Sequence, residues 1–297
     1  MARATTPPIR FVSESAITIQ QQYAIKRLHH ETIGNDVIRL VAEKDILLEA
    51  GILAHLPRHA NIIQLHALSD GFWKDPAAGF MILDHLTETL HDRLQRWRRA
   101  PRPYDEREIP FYKVAARNKK RRTEQCSRMQ YAALGVARAM EFLHKHKVIY
   151  RDLKPQTIGF DSRGVVRLFD FGLARVHIEG ARQLTGFTGS ARYMAPEVAC
   201  SEPYSFPADV HAFSILLWEI CSLERAYCQA TDLKQLMRYV AQRKVRPTLN
   251  KIASPIIKEL LPVSWHHDSA MRPSFALVVK QIELEGQAVE EQQYSSR

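Results

Sequence analysis

Strand-like spacing of apolar residues is most frequent in the first third of this chain of 297 residues and helix-like spacing in the rest, and this order restricts the folds it can adopt. Early in the chain, residues 8–28, 61–68 and 79–85 are typical of strands, and residues 36–55 are typical of one helix. Further along, helices are predicted at 129–143, 208–224, 231–243, 254–261 and 274–290, with short strands at 148–150, 157–160 and 165–170. A sheet-rich part followed by a helix-rich part predicts an α+β fold.

Composition excludes several classes of protein. Hydrophobic residues make up 45% and charged residues 25% of the chain, which is ordinary for a globular protein. The most apolar stretch, 213–221, is far shorter than the roughly 20 residues of a membrane span, and residues 1–10 lack the apolar core of a secretory signal. Four irregularly spaced cysteines fit a reducing compartment better than a disulfide framework. We therefore expect an intracellular, cytoplasmic protein with no membrane partner.

The positive charge of the chain is concentrated in residues 96–128. This segment holds twelve basic and four acidic side chains, and thus eight of the ten net positive charges. Its three prolines and weak apolar periodicity are typical of a solvated, flexible insertion. The run Lys119–Arg122 also fits a phosphate-binding patch or a nuclear import signal, which would place the protein in the nucleus. The rest of the chain is nearly neutral, so a nucleic-acid partner is not expected.

Four short strings carry chemical groups in a fixed order. Residues 24–26 (AIK) lie in the first predicted strand, and residues 150–155 (YRDLKP) lie between two strands. Residues 170–172 (DFG) end the next strand, and residues 195–197 (APE) follow 23 positions later. Each string alone is weak, but their order and spacing together are specific. With these strings the chain resembles the protein kinase family over about residues 9–284.

The resemblance implies a bilobal, protein-kinase-like fold in a single domain over residues 1–297. A small, β-rich lobe with one helix would span residues 1–83. A larger, mainly helical lobe would span residues 84–297 and carry a basic insertion at about 96–128 and a polar tail after residue 285. The ATP cleft would lie between the two lobes.

The resemblance also implies a reaction. Such an enzyme transfers the γ-phosphoryl group of ATP, with Mg²⁺ as cofactor, to a serine or threonine hydroxyl of a protein substrate. Asp152 matches the catalytic base that accepts the proton of the attacking hydroxyl, and Lys154 matches the lysine near the transferred phosphate in serine/threonine kinases. Asp170 matches the carboxylate that binds Mg²⁺. The strings LWEI at 217–220 and RPSF at 272–275 are most similar to the tyrosine-kinase-like group of serine/threonine kinases.

Further positions match the nucleotide site of the family. Lys26 would hold the α- and β-phosphates, paired with a glutamate of the small-lobe helix. The alignment favours Glu49 over Glu43 as that partner. Ala24 would pack on the adenine face, and Leu83 would be the gatekeeper. The hinge residues that bind adenine through the backbone would be Asp84, His85 and Leu86.

Three charged residues match architectural positions of the family. Asp209 resembles the buried aspartate that holds the backbone of the catalytic loop. Glu197 and Arg272 resemble a buried ion pair of the large lobe.

Residues 170–197 resemble the activation segment of a kinase. Thr185 or Thr188 would be phosphorylated by an upstream activating kinase, and Arg151 would pair with the phosphate. The alternative is that both threonines are unmodified loop residues. Ser190 matches the loop hydroxyl that faces the substrate.

Two departures from the family pattern bear on the site. A glycine-rich loop over the phosphates is expected around residues 1–12, yet no glycine precedes Gly34. Either the chain is truncated at its start, or the loop has been lost. The second departure lies five residues after Asp152, where Thr157 replaces the asparagine that binds a second Mg²⁺. We expect Thr157 to be a metal ligand of reduced affinity.

These departures leave three functional classes open. The first is an active or weakly active protein serine/threonine kinase, and the second is a pseudokinase that acts as a scaffold or allosteric partner. The retained set of Lys26, Glu49, Asp152 and Asp170 favours the enzyme. A third class, a basic nucleic-acid-binding protein, depends on residues 96–128 alone.

Overall fold

The computed structural model describes residues 10–11, 22–28, 36–100, 114–180 and 182–295. Most of the stretch in which a glycine-rich loop is expected lies outside the described residues. The same holds for the middle of the basic segment, residues 101–113, and for most of the strand predicted at 8–28.

The strands of the small lobe pair into one sheet in the order β1-β3-β4-β2. β2 runs antiparallel to β4, and this register sets Ala24 opposite Leu83 and Lys26 opposite Met81. Two further sheets, β5-β7-β8 and β6-β9, belong to the large lobe. The strands are β1 (Arg10–Phe11), β2 (Tyr23–Lys26), β3 (Leu65–Leu68), β4 (Met81–Asp84), β5 (Glu88–Thr89), β6 (Val148–Ile149), β7 (Ile158–Phe160), β8 (Val166–Leu168) and β9 (Arg175–Val176).

The helices include one at each predicted position within a few residues, together with three, at 90–99, 114–128 and 196–199, that were not predicted. They are α1 (Asp36–His55), α2 (Leu90–Arg99), α3 (Val114–Arg128), α4 (Leu134–Lys145), α5 (Pro196–Ala199), α6 (Pro207–Ser222), α7 (Leu233–Met237), α8 (Pro255–Ser264) and α9 (Phe275–Tyr294). A π-helical turn at Met129–Ala133 joins α3 to α4, and a second one at Arg238–Gln242 follows α7.

The strand predicted at 61–68 is shorter than expected because its first residues pair elsewhere. The N–H of Ile63 donates to the carbonyl of Leu168 at 2.9 Å, and the N–H of Leu168 donates to the carbonyl of Asn61 at 2.8 Å. Only Leu65–Leu68 joins the small sheet as β3. The segment before β3 therefore ties the small lobe to β8 of the large lobe.

Helix α1 matches the helix predicted at 36–55. Its buried residues Ile46, Glu49, Ala50, Ile52 and Leu53 recur at the spacing of one helical face. Glu49 is only 1% exposed. A carboxylate at this depth needs a cationic partner, because burial of an unpaired charge is costly.

Helix α6 forms the centre of the large lobe. Its residues from Asp209 to Ser222 are all buried, which explains why the apolar stretch 213–221 has no polar face. Arg272 donates to both carboxylate oxygens of Glu197 at 2.6 and 2.8 Å, so the predicted ion pair between these residues is present.

The basic segment differs from its prediction. Residues 96–99 end α2, and residues 114–128 form α3, so the expected flexible insertion is wrong for these parts of the segment. Arg122 donates to both carboxylate oxygens of Glu285, at 2.7 and 2.8 Å, and Glu285 is fully buried. Gln125 also bonds the carbonyl of Lys251 at 2.5 Å. The charges that suggested solvation therefore serve in part to attach α3 to the large lobe.

The predicted α+β fold is confirmed, with a small lobe of sheet and helix followed by a larger, mainly helical lobe. The predicted lobe boundary at residues 83 and 84 falls within β4 and stays a prediction. Within the described ranges, no helix has the length and apolar character to cross a bilayer.

Candidate active site

The loop that follows β6 is held in place by a buried carboxylate of α6. The N–H groups of Tyr150 and Arg151 donate to Asp209 at 2.9 and 2.8 Å, and the Nε2 atom of His144 lies 3.0 Å from the same carboxylate. Arg151 has a φ angle of +76°, which non-glycine residues adopt rarely. The two hydrogen bonds to Asp209 stabilise this bend, which brings Asp152 to the end of the loop.

Asp152 lies at the centre of the candidate site and accepts two hydrogen bonds. Lys154 Nζ donates to its Oδ2 at 2.5 Å, and Ser190 Oγ donates to its Oδ1 at 2.8 Å. The structure therefore brings together the three residues that the sequence placed near the transferred group. The orientation of the Asp152 carboxylate is fixed from both sides.

The lysine of β2 lies between two carboxylates. Lys26 Nζ is 2.5 Å from Oε2 of Glu49 and 3.1 Å from Oδ1 of Asp170. Burial alone would lower the pKa of Lys26, but the two carboxylates outweigh it and raise that pKa above its ordinary value. Glu43, the alternative partner, instead lies 3.5 Å from Arg39. The predicted contact between Lys26 and Glu49 is thus formed.

Asp170 is held by its neighbours on both sides. It has a φ angle of +65°, in the left-handed region, and its side chain is 48% exposed. Before it, the carbonyl of Phe169 accepts a hydrogen bond from the Tyr150 hydroxyl at 2.5 Å. After it, the fully buried Phe171 packs edge-on against the Tyr150 ring, with centroids 5.3 Å apart. Tyr150 therefore supports the backbone that carries Asp170.

The predicted hinge follows β4 directly. Leu83 is buried beside Ala24, as the strand register requires. The Asp84 carboxylate accepts hydrogen bonds from Gln64 N at 3.0 Å and lies 2.8 Å from His66 Nε2. Burial would raise the pKa of Asp84, but these hydrogen bonds outweigh it and lower that pKa. His85 and Leu86 are half-buried.

Two glycines that sequence analysis did not select shape this site. A Cβ atom on Gly159 would lie 2.6 Å from Cδ1 and 3.2 Å from Cβ of Leu86, so the glycine lets the hinge leucine pack closely on β7. A Cβ atom on Gly189, which has a φ angle of +94°, would lie 2.3 Å from the carbonyl oxygen of Arg151. Gly189 thus lets Ser190 approach Asp152. The sequence signal for these positions was that each glycine lies within two residues of a selected residue, Gly159 after Thr157 and Gly189 before Ser190.

The residues fit a bound MgATP in part. Asp170 presents a half-exposed carboxylate, the ligand type that Mg²⁺ prefers when phosphate oxygens and water complete its shell. Thr157 is 1% exposed, and its hydroxyl contacts the loop backbone. This geometry disfavours the prediction that Thr157 binds a metal ion. Across the described ranges, no three His, Cys, Asp or Glu side chains are grouped to hold a metal ion.

Arg175 of the activation segment lies near Arg151 of the loop that follows β6. Burial lowers the pKa of Arg175, and the like charge of Arg151 lowers it further. Within the described part of the chain, Arg151 Nε has no hydrogen-bond partner. Of the two candidate threonines, Thr185 is exposed and Thr188 is half-buried.

Residues 12–282 match the family model described as "Protein kinase domain". The chain is 39% identical over 150 residues to serine/threonine-protein kinase STY17 of Arabidopsis thaliana, over 50% of this chain and 26% of that protein. It is 38% identical over 151 residues to serine/threonine-protein kinase STY46 of the same plant, over 51% of this chain and 26% of that protein. It is 37% identical over 148 residues to dual specificity protein kinase shkB of Dictyostelium discoideum, over 49% of this chain and 23% of that protein. The chain thus aligns with about a quarter of the length of these relatives.

Proposed function

This chain belongs to the protein kinase family, and we propose that it is a serine/threonine kinase that transfers the γ-phosphoryl group of ATP to a protein hydroxyl. The observation that carries the proposal is the Asp152 carboxylate, oriented by Lys154 and Ser190. Two relatives that match half of the chain are named serine/threonine kinases, which supports the same acceptor group.

The large-lobe residues have complementary roles in this proposal. Bound MgATP supplies the phosphoryl group and a cation that offsets the phosphate charge. Asp152 accepts the proton of the substrate hydroxyl and orients its oxygen towards the phosphorus. Lys154, which donates to Asp152 at 2.5 Å, would donate to the phosphoryl oxygens during transfer. Ser190 gives up its bond to Asp152 when a substrate hydroxyl takes that place.

The small-lobe residues position the nucleotide. Lys26 holds the α- and β-phosphates, and Glu49 keeps its ammonium group pointing into the cleft. Asp170 holds Mg²⁺. Ala24, Leu83, Asp84, His85 and Leu86 would contact the adenine ring of bound ATP.

A scaffold without catalysis was the alternative that the sequence left open. Such a protein has no need for an aligned base or for a paired phosphate lysine. The contacts of Asp152 with Lys154 and of Lys26 with Glu49 favour the enzyme.

Regulation by an upstream kinase is also part of the proposal. A phosphate on Thr185 or Thr188 would relieve the like-charge repulsion between Arg151 and Arg175 by pairing with both guanidinium groups. Location in the cytoplasm, or in the nucleus through residues 119–122, stays a prediction.

The test is the transfer of labelled phosphate from MgATP to the protein itself and to a generic basic protein. Asp152→Asn should lower the rate between about 10²-fold and 10⁴-fold, because the amide cannot accept the proton. Its thermal unfolding midpoint should stay unchanged. Asp70→Asn, at an exposed position, is the matched control and should keep the wild-type rate.

Two results would contradict the proposal in different ways. Wild-type rates in Asp152→Asn would refute the role of this carboxylate. Folded wild-type protein that transfers no label to either acceptor would favour the scaffold.

A further inference from the structure

The side chain of Thr157 is buried against the backbone of the catalytic loop. Thr157 ends the short 3₁₀ turn Pro155–Thr157, five residues after Asp152, and it is 1% exposed. Protein kinases have an asparagine here that binds a second metal ion. An asparagine amide offers both an N–H donor and a carbonyl oxygen, whereas a threonine hydroxyl has one proton and two lone pairs.

The hydroxyl of Thr157 is used by the catalytic loop itself. Its Oγ1 atom lies 3.0 Å from the carbonyl oxygen of Asp152 and 3.1 Å from that of Lys154, and these two acceptors share its one proton. The same oxygen accepts from the N–H of Lys154 at 3.3 Å. These contacts close the loop around Asp152 and use both the proton and an oxygen lone pair of the hydroxyl.

The backbone of Thr157 holds the side chain in this orientation. Its N–H donates to the Lys154 carbonyl at 3.1 Å, and its own carbonyl accepts from the N–H of Phe169 at 3.1 Å. Because a β-branched side chain has few χ1 rotamers, it cannot swing towards the cleft without breaking the loop contacts. Asp170 remains as the exposed carboxylate on the adjacent strand end.

We infer that Thr157 is a positioning residue of the catalytic loop, and that this kinase binds a single divalent cation with ATP, through Asp170. The inference rests on the proposed function, since it concerns the metal content of the same site. The side chain at position 157 then sets how many ions the site holds.

The number of bound ions can be counted with Mn²⁺ as a paramagnetic probe. The full chain is titrated with Mn²⁺ in the presence of a non-hydrolysable ATP analogue, and free Mn²⁺ is measured by electron paramagnetic resonance. We expect one ion per bound nucleotide in the wild type and two in Thr157→Asn, which restores an amide oxygen.

The outcomes separate the inference from the proposed function. Two ions in the wild type, or one ion in Thr157→Asn, would overturn the inference and leave the kinase proposal standing. A wild-type chain that binds neither the analogue nor Mn²⁺ would overturn both.

The positioning role is tested with a matched pair of variants. Thr157→Val removes the hydroxyl at constant shape and should lower kcat by about tenfold to a hundredfold, with one Mn²⁺ still bound, because buried loop groups lose their partner. Thr157→Ser keeps the hydroxyl and should recover most of the wild-type kcat. Analogue affinity close to wild type shows that each variant is folded. An unchanged kcat in Thr157→Val would refute the positioning role.

Discussion

Two buried carboxylates of the large lobe are paired in different ways. Asp209 in α6 accepts hydrogen bonds from the backbone N–H groups of Tyr150 and Arg151. Glu285 in α9 accepts both of its hydrogen bonds from one guanidinium group, that of Arg122 in α3. The first pairing orients a loop, whereas the second connects two helices that are 163 residues apart in the chain.

This difference in donors predicts a difference in consequence. Backbone donors fix the path of the chain, so loss of Asp209 should disturb the position of Asp152 and hence the reaction. A cationic donor neutralises a buried charge, so loss of Arg122 should affect the free energy of unfolding and leave the active site in place.

The largest effect is expected from Arg122→Met, which keeps the apolar stem and removes the charge. Glu285 would remain buried without a cation, and its ionised form would be penalised. Because Arg122 is itself 21% exposed, we expect the free energy of unfolding to fall by about 3 kcal/mol, the low end for a broken buried pair. Urea unfolding followed by circular dichroism measures this change.

Arg163→Met is the matched control for this prediction. Arg163 is 76% exposed and lies 3.7 Å from Asp161, so its removal should change the free energy of unfolding by less than about 1 kcal/mol. Equal losses in the two variants would show that Glu285 does not depend on its partner. A large fall in kcat for folded Arg122→Met would contradict the prediction that the Arg122–Glu285 pair affects stability and not the reaction.

Asp209→Asn should affect the reaction more than the fold. Asparagine has one acceptor oxygen, and its NH₂ group would face the N–H of Tyr150 or Arg151. Hydrogen bonds to charged groups contribute about 1.5–3 kcal/mol, so we expect phosphoryl transfer to slow by about tenfold to a hundredfold. Steady-state kinetics with saturating ATP measures the change.

Asp161 provides a control that also accepts from two backbone N–H groups, although both bond its Oδ1 atom while Oδ2 accepts from Arg167 at 3.1 Å. It accepts hydrogen bonds from the N–H groups of Arg163 and Val165 at 3.0 and 2.9 Å, in a turn between β7 and β8. Asp161→Asn keeps one oxygen for the two N–H groups and weakens the pairing with Arg167, so it should lower stability and leave the transfer rate unchanged. If both variants slow the reaction equally, the effect is one of general stability and not of loop position.

The contrast between these regions also explains what could be predicted from sequence. The loop at 150–155 was recognised because its groups are adjacent in the chain and in the structure. Helix α1 was predicted with its bounds because its buried face repeats within 20 residues. The attachment of α3 was missed because Arg122 finds its partner in the last helix, and no local pattern encodes so distant a pairing.

The roles of Thr157 and Gly159 could not be predicted from residue type, because they depend on what surrounds each residue in the fold. Thr157 could be a metal ligand by its chemistry, but burial and three loop contacts direct its hydroxyl elsewhere. Gly159 looked like an ordinary strand residue, and only the position of Leu86 shows why a side chain does not fit there. Such constraints arise from tertiary packing, which a sequence pattern does not specify.

The smallest predicted effect concerns His211, two residues from Asp209 in the same helix but without comparable partners. In the described part of the chain, its Nε2 atom has no hydrogen-bond partner. Burial lowers the pKa of His211 well below its ordinary value, and the charges of Arg272 and Arg246 act in the same direction.

The unfolded chain binds a proton at His211 below about pH 6.5, and the folded chain does not. Stability should therefore be complete above pH 6.5 and should fall as the pH drops, by about 1.4 kcal/mol between pH 7.5 and 5.5. Other groups titrate in this range as well, so the measurement is the difference between wild type and His211→Gln in urea unfolding at both pH values. Equal slopes would mean that the ring takes up its proton alike in the folded and the unfolded chain, and hence that the folded protein provides a partner for the protonated ring.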